Sequence, residues 1–338
     1  MNTNSETLFE AYLNQHDHQA WWEIIRTLLP YIHEVDRNAT QIWFAFYPLA
    51  LARALAQAED PDQLAKELLL KGRYCLKDHI DTSHQFLYGH RYWPQVKKAV
   101  SELAVSAKAP VSLELAKQIR NLAGEIAQNV NVGESLLVGI SAVAFMTLQQ
   151  VGLSAFKASP GKVNISTKMA RRSPEQILQE RAKDDDQGLF AFLRTVDKRW
   201  TVTFNENDSN ACFKLVNMQD LAMASANDKR DYKSHDTRCI EGPIPVECRT
   251  AACGTCWVGI LGGAEKLSAV TALERRKIKE FGYIDTDEPK PLIRLACMAQ
   301  STGAISLVIP PWNGVFGKQL YKQKTDSKQS DSSLLPNS

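Results

Sequence analysis

From about residue 5 to 157 the apolar positions recur at intervals of three and four, with strong helix formers between them, and this period predicts a succession of amphipathic helices. The pattern places one in "HQAWWEIIRTLLPYI", ending or bending near Pro30, and a second in "ATQIWFAFYPLALARALAQAE", kinked at Pro48 where the ring removes a backbone donor. Asp60 followed by Pro61 is an N-cap and first-turn pair that opens a third, "PDQLAKELLLKGRYCLKD". Three more are predicted in "WPQVKKAVSELAVSA", "SLELAKQIRNLAGEIAQNV" and "ESLLVGISAVAFMTLQQVG". The run "KASPGKVNISTKMARR", Lys157 to Arg172, breaks the pattern with Pro160, Gly161 and a basic, apolar-poor composition; Ser173, Pro174 and Gln176 then form a capping-box start for a short connecting helix.

After Gly188 the period changes to two. "RWTVTF" and "ACFKLV" are β-forming runs separated by the turn-rich "NENDSN", which predicts a hairpin. A short helix is predicted from about Met218 to Asn227, then a cysteine loop, a strand at "CWVGIL", a helix at "TALERRKIKEFG", and strands at "LIRLACMA" and "AISLVIP". Strands with helices inserted twice predict a small mixed sheet packed on helices, so the fold class is α+β with two domains. The expected boundaries are 1–157 for an all-α helical bundle, 158–197 for a linker with a short helix, 198–312 for the sheet-containing domain, and 313–338 for an extension and disordered tail without apolar periodicity.

Composition narrows the class. A chain of 338 residues is long enough for two domains with separate cores. Its 40 basic against 38 acidic residues create no strong field that would point to nucleic acid or an anionic membrane. The N-terminus lacks a basic region followed by an apolar one, and the longest apolar stretch, Ser135 to Leu148, is short for a membrane span, so a buried helix in a cytoplasmic protein with no transmembrane segment is the expectation. Seven cysteines, an odd number, argue against a disulfide framework and for free thiols in a reducing compartment.

Three of those cysteines lie in nine residues, "CRTAACGTC". Cys248, Cys253 and Cys256 are spaced C-x₄-C-x₂-C, and Cys297 follows in "RLACMAQ". Four thiolates in a three-plus-one arrangement suit zinc or an iron–sulfur cluster; zinc ligands come as C-x₂-C pairs on separate knuckles, whereas this spacing is that of plant-type [2Fe–2S] centres. The small residues Thr250, Ala251, Ala252, Gly254 and Thr255 would let backbone N–H groups approach sulfur, and Arg249 would add positive charge.

On these motifs, with "LSAVTALERRKI" between the third and fourth cysteines, residues from about 198 to 310 resemble a plant-type [2Fe–2S] ferredoxin domain. The resemblance implies a β-grasp fold, a [2Fe–2S] cofactor held by Cys248, Cys253, Cys256 and Cys297, and one-electron transfer at a potential of about −400 mV. Three features depart from it. Ala251 stands where these domains usually have glycine, so a left-handed backbone there would be costly; the span to Cys297 is long, with the excess in "GYIDTDEPKP"; and the segment before the cluster, "ASANDKRDYKSHDTRCIEGPIP", is longer and rich in charge of both signs, in a domain whose charges balance where photosynthetic members are acidic.

Cys239 fits no ligand spacing, and Cys75 and Cys212 read as core thiols. His79, His84 and His90 in "KDHIDTSHQFLYGHRYW" are candidates for a haem or metal, or else belong to a polar, aromatic-rich surface. Neither a G-x-G-x-x-G nor a Walker A pattern is present, so electrons must come from one redox partner protein and go to another. The expected function is therefore an electron carrier whose helical domain docks to, or oligomerises within, a larger complex. The alternatives are an electron feed fused to a helical catalytic domain with its own haem or metal, and an iron–sulfur redox sensor.

Overall fold

The computed structural model describes residues 7–106, 114–185, 198–283 and 288–315. It is a mixed α+β protein, largely helical in the N-terminal region and strand-containing in the C-terminal region. The expected tail beyond 315, the end of the linker at 186–197, and the centre of the long span before Cys297, 284–287, lie outside the described residues. The chain forms two compact units: one from Met1–Ala52, Cys75–Lys183 and Thr203–Cys212, the other from Arg53–Tyr74, Asp184–Val202 and Phe213–Ser338.

The helical unit is organised on α8 (Ser135–Ala158), against which α1 (Leu8–Asn14), α3 (Glu34–Phe46), α6 (Trp93–Ser106) and α7 (Leu115–Val130) all pack. α8 is long and apolar enough to cross a membrane by length and composition alone, and 67% of its most apolar window is buried in this fold. Gly139 permits the close approach of α3, since a Cβ there would stand 2.5 Å from the Thr40 hydroxyl oxygen. At Gly152 (φ 77°) the helix breaks, and the freed N–H of Leu153 donates to Glu10 Oε1 at 2.7 Å. The other Glu10 oxygen closes the capping box with Thr7 at the start of α1.

Local signals set most of the remaining boundaries. Asp17 caps α2 (His18–Leu28), which gives way to a 3₁₀ turn containing Pro30. Pro48 does more than kink the second predicted helix: it separates α3 from α4 (Leu49–Gln57). The third is cut to α5 (Pro61–Glu67), because Leu69 turns left-handed (φ 53°) and the chain leaves as strand β1 (Lys71–Gly72) and then a 3₁₀ turn over Leu76–His79. A one-turn helix, α9 (Thr167–Ala170), and α10 (Pro174–Ala182) follow, the latter opened by the expected Ser173 and Gln176 capping box.

The second unit carries a five-stranded sheet of order β3-β2-β6-β4-β5, formed by β2 (Arg199–Thr203), β3 (Cys212–Val216), β4 (Trp257–Gly262), β5 (Ile293–Leu295) and β6 (Ile305–Val308). β4 runs antiparallel to both β5 and β6. In chain order α11 (Leu221–Ala226) lies between β3 and β4, and α12 (Ala272–Phe281) between β4 and β5. A two-residue strand that the period did not predict, β7 (Trp312–Asn313), pairs with β1. Trp257 meets Phe281 and Tyr283 edge-on, with centroids 5.3 and 4.6 Å away, and Tyr283 stacks towards Trp312.

α12 is fastened to β5 by a fully buried ion pair. Arg294 Nε and Nη2 donate to the two Glu274 oxygens at 2.8 and 3.0 Å, Arg294 Nη1 donates to Ser268 O, and Glu274 Oε1 also accepts from Leu295 N. Removing one partner strands the other in the core. Glu274→Ala should cost about 3–5 kcal/mol in urea unfolding followed by tryptophan fluorescence, and the double change Glu274→Leu with Arg294→Met should recover most of that loss.

Candidate functional site

The loop from Cys248 to Cys256 belongs to the second unit and is fixed at several points. Gly242 (φ 74°) lies so close to α11 that a Cβ would fall 1.9 Å from Ser225 O, and the Ser225 hydroxyl accepts from Ile244 N. At the far end Asn313 Nδ2 donates to Thr255 O at 2.9 Å, and Ala296 N donates to Cys256 O. Gly254 (φ 67°) presses on the Phe281 ring, where a Cβ would stand 3.0 Å away. Each contact uses a residue small enough, or polar enough, to let backbone meet backbone.

Inside the loop three N–H groups converge on one sulfur. Thr250, Ala252 and Cys253 donate to Cys248 Sγ at 3.5, 3.3 and 3.3 Å. The turn that aims them needs left-handed backbone at Arg249 (φ 53°) and Ala251 (φ 59°). Ala251 thus takes the conformation that its side chain makes costly, and its N–H is directed at Cys297. The Arg249 guanidinium, expected to lend charge to sulfur, is instead ion-paired with Glu241.

The thiols differ in character. Burial pushes the Cys248 thiol up, but the Thr250 and Cys253 N–H groups and the Cys253 thiol outweigh it and bring it down to about 6. Cys253, raised by burial, has its sulfur 3.1 Å from the Thr255 hydroxyl. Cys256 is buried and its thiol is hydrogen-bonded to the Cys297 sulfur, which holds the Cys256 proton on and lowers Cys297. The pattern is of paired thiols, one of each pair acting as donor and the other as incipient thiolate.

This arrangement overturns the cofactor expectation. Among the described residues no group of three or more His, Cys, Asp or Glu side chains could hold a metal ion, and all seven cysteines are free. Each sulfur is engaged in hydrogen bonds: Cys248 with the loop N–H groups and the Cys253 thiol, Cys253 also beside the Thr255 hydroxyl, and Cys256 with Cys297. The resemblance to a plant-type [2Fe–2S] ferredoxin, the [2Fe–2S] cofactor, the iron and metal-binding character and the one-electron transfer through it are corrected accordingly. No protein-family model and no solved structure matches the chain.

The remaining candidates separate. Cys239 is buried, donates to Pro243 O at 3.2 Å, and is pushed up by burial to about 11. Cys75 is exposed, against the core expectation, and Cys212 is half-buried with its sulfur on Ser209 O. His79 is half-buried beside Thr82, whereas His84 and His90 are fully buried in the helical unit and face each other. Sequence reasoning missed Ser225 and Asn313, which lie 23 residues or more from the nearest loop cysteine and carry no motif; the adjacent buried Trp312 is the nearest signal.

The thiols should therefore be distinguishable by pH. Alkylation followed by peptide mass spectrometry should give Cys248 a midpoint near pH 6, against about 11 for Cys239. The Cys248 reaction should fade as pH falls through that midpoint, because the thiolate that reacts is then protonated.

Proposed function

We propose that the chain works through sulfur chemistry at the loop Cys248–Cys256 and Cys297, with Cys248 as the reacting thiolate in thiol–disulfide exchange with a redox partner protein. The observation that carries this reading is the convergence of three backbone N–H groups on the half-buried Cys248 sulfur. Fixed dipoles around a sulfur stabilise its negative charge without the reorganisation that water would require. In the exchange the Cys248 thiolate attacks one sulfur of the partner's disulfide. A new S–S bond forms, the old one breaks, and the departing sulfur leaves as a thiolate with the bonding pair, so no outside oxidant or proton is needed. Cys253, with its thiol on Cys248, supplies a hydrogen bond that raises the share of Cys248 present as thiolate and later makes it the better leaving group.

The compartment that suits this chemistry is the reducing cytoplasm, where the thiols stay free. The sheet order β3-β2-β6-β4-β5, with α12 between β4 and β5, supports reading the second unit as a β-grasp. Docking and self-association are assigned to the helical unit, whose surface includes the exposed Leu8, Tyr31 and Val105.

The test uses full-length protein purified without oxygen and an aromatic disulfide reagent. Thiolate fraction rises as pKa falls while intrinsic nucleophilicity drops, so at pH about 5.5 the advantage of Cys248 over an ordinary thiol should be about 30-fold. Cys248→Ser should abolish that fast phase and Cys239→Ser should leave it intact. A fast phase that survives Cys248→Ser would overturn the assignment. So would iron and inorganic sulfide retained by the purified chain, with the four thiols unreactive until these are removed.

A further inference from the structure

Segment 76–92 lies within the helical unit and contains only two short 3₁₀ pieces, Leu76–His79 and Tyr88–Tyr92, yet much of it is buried. Its backbone closes on itself in successive tight turns, such as Ser83 N on His79 O and Leu87 N on His84 O, and three side-chain elements hold those turns in the core. Asp36 on α3 accepts from Tyr88 N and Gly89 N at 2.5 and 2.7 Å. Asp81 gathers four donors: Trp93 Nε1 and Ser159 Oγ on one oxygen, Gly161 N and Lys162 N on the other. The third element is the pair His84 and His90, whose Nδ1 atoms are 2.9 Å apart with both rings fully buried.

The tautomers of that pair follow from its neighbours. His84 Nε2 lies 3.2 Å from Ile80 O, which can only accept, so this nitrogen carries hydrogen. Burial keeps both rings neutral, so His84 Nδ1 is a lone pair and His90 Nδ1–H donates to it. His90 Nε2 is then a bare lone pair, buried and with no hydrogen-bond partner among the described residues.

We propose that the His84–His90 pair is an acid-sensitive latch: a proton added to either ring breaks the pair and releases segment 76–92 from the core of the helical unit. A proton on His84 Nδ1 would set two N–H groups against each other at 2.9 Å. A proton on His90 Nε2 would create a buried donor; the charge of Asp81 favours that proton less than burial opposes it, and both Asp81 oxygens are already taken. The other groups in reach do not offset this. From α6 Lys97 is positive, sits over the Phe156 ring and donates to Lys157 O; α8 presents no ionisable side chain from Ser135 to Phe156; and Asp36 and Arg91 are committed to backbone groups of the segment and its surroundings.

The direction with pH follows from the shifts. Burial lowers His90 from 6.5 to about 4 and lowers His84 well below its ordinary value, so the stability they contribute is present above 6.5 and is lost as pH falls towards 4. Burial raises Asp36 from 3.8 to about 6, so it opposes them: it favours the closed state below 3.8, and that support is lost as pH rises through 6. Between about pH 7.5 and about pH 5 each histidine favours opening by about 30-fold and Asp36 offsets about tenfold, for a net change on the order of 100-fold.

Hydrogen exchange of the full-length chain, corrected for the intrinsic pH dependence of exchange, tests this. Protection of peptides from 76–92 should fall on the order of 100-fold from about pH 7.5 to about pH 5, while α7 should change by less than about threefold. His90→Gln keeps an N–H for His84 and removes one titrating ring, so the fall should shrink to about threefold. Protection of 76–92 that does not change with pH, or an equal loss in α7, would overturn the latch. Both readings come from the wild-type chain and stand even if the variant fails to fold.

Discussion

Buried backbone N–H groups that no helix or strand satisfies shape both units of this protein. Such a group left unpaired costs about as much as a hydrogen bond to a charged partner gains, so irregular segments persist only where something accepts from them. In the helical unit the acceptors are Asp36 and Asp81, and Glu10 at the break in α8. In the second unit they are Glu274, the Ser225 hydroxyl and, in the cysteine loop, the sulfur of Cys248. Sulfur is a weak acceptor as a thiol and a much better one as a thiolate, so the demand of the loop's N–H groups and the acidity of Cys248 are two sides of one interaction.

The same economy explains why the strained positions lie where they do. Arg249 and Ala251 hold left-handed backbone although neither is glycine, and the turn they make aims the Thr250, Ala252 and Cys253 N–H groups inward. Gly254, by contrast, must be small as well as left-handed because Phe281 fills the space beside it. The loop is therefore stiff for reasons outside itself: an aromatic wall on one side, Asn313 and Ser225 holding its flanks, and the buried Glu274 and Arg294 pair securing the strand that leads to Cys297.

Strands β2 to β6 and most of the helices were legible because period and capping are local. Ser173 with Gln176, Asp60 with Pro61, and Pro48 each mark a boundary through effects within four residues. The failures were equally physical. Leu68 and the residues after it carry helix-forming side chains, but Leu69 turns left-handed and Lys71 pairs with Asn313, more than two hundred residues away, so tertiary pairing overrides propensity. The cysteine spacing singled out Cys248, Cys253, Cys256 and Cys297, yet spacing says nothing of what each sulfur bonds to.

The sequence by itself determined the division into helical and strand-bearing regions, the thiol-rich loop and the small residues that let its backbone close on sulfur. Those features depend on periodicity, on φ/ψ preference and on volume, all written residue by residue. Only the tertiary structure decided which thiol is acidic, that Arg249 is spent on Glu241, and that His84 and His90 share one hydrogen bond in the core while His79 lies outside it. Charge and proton affinity are set by what surrounds a group within a few ångströms, and those neighbours come from distant parts of the chain.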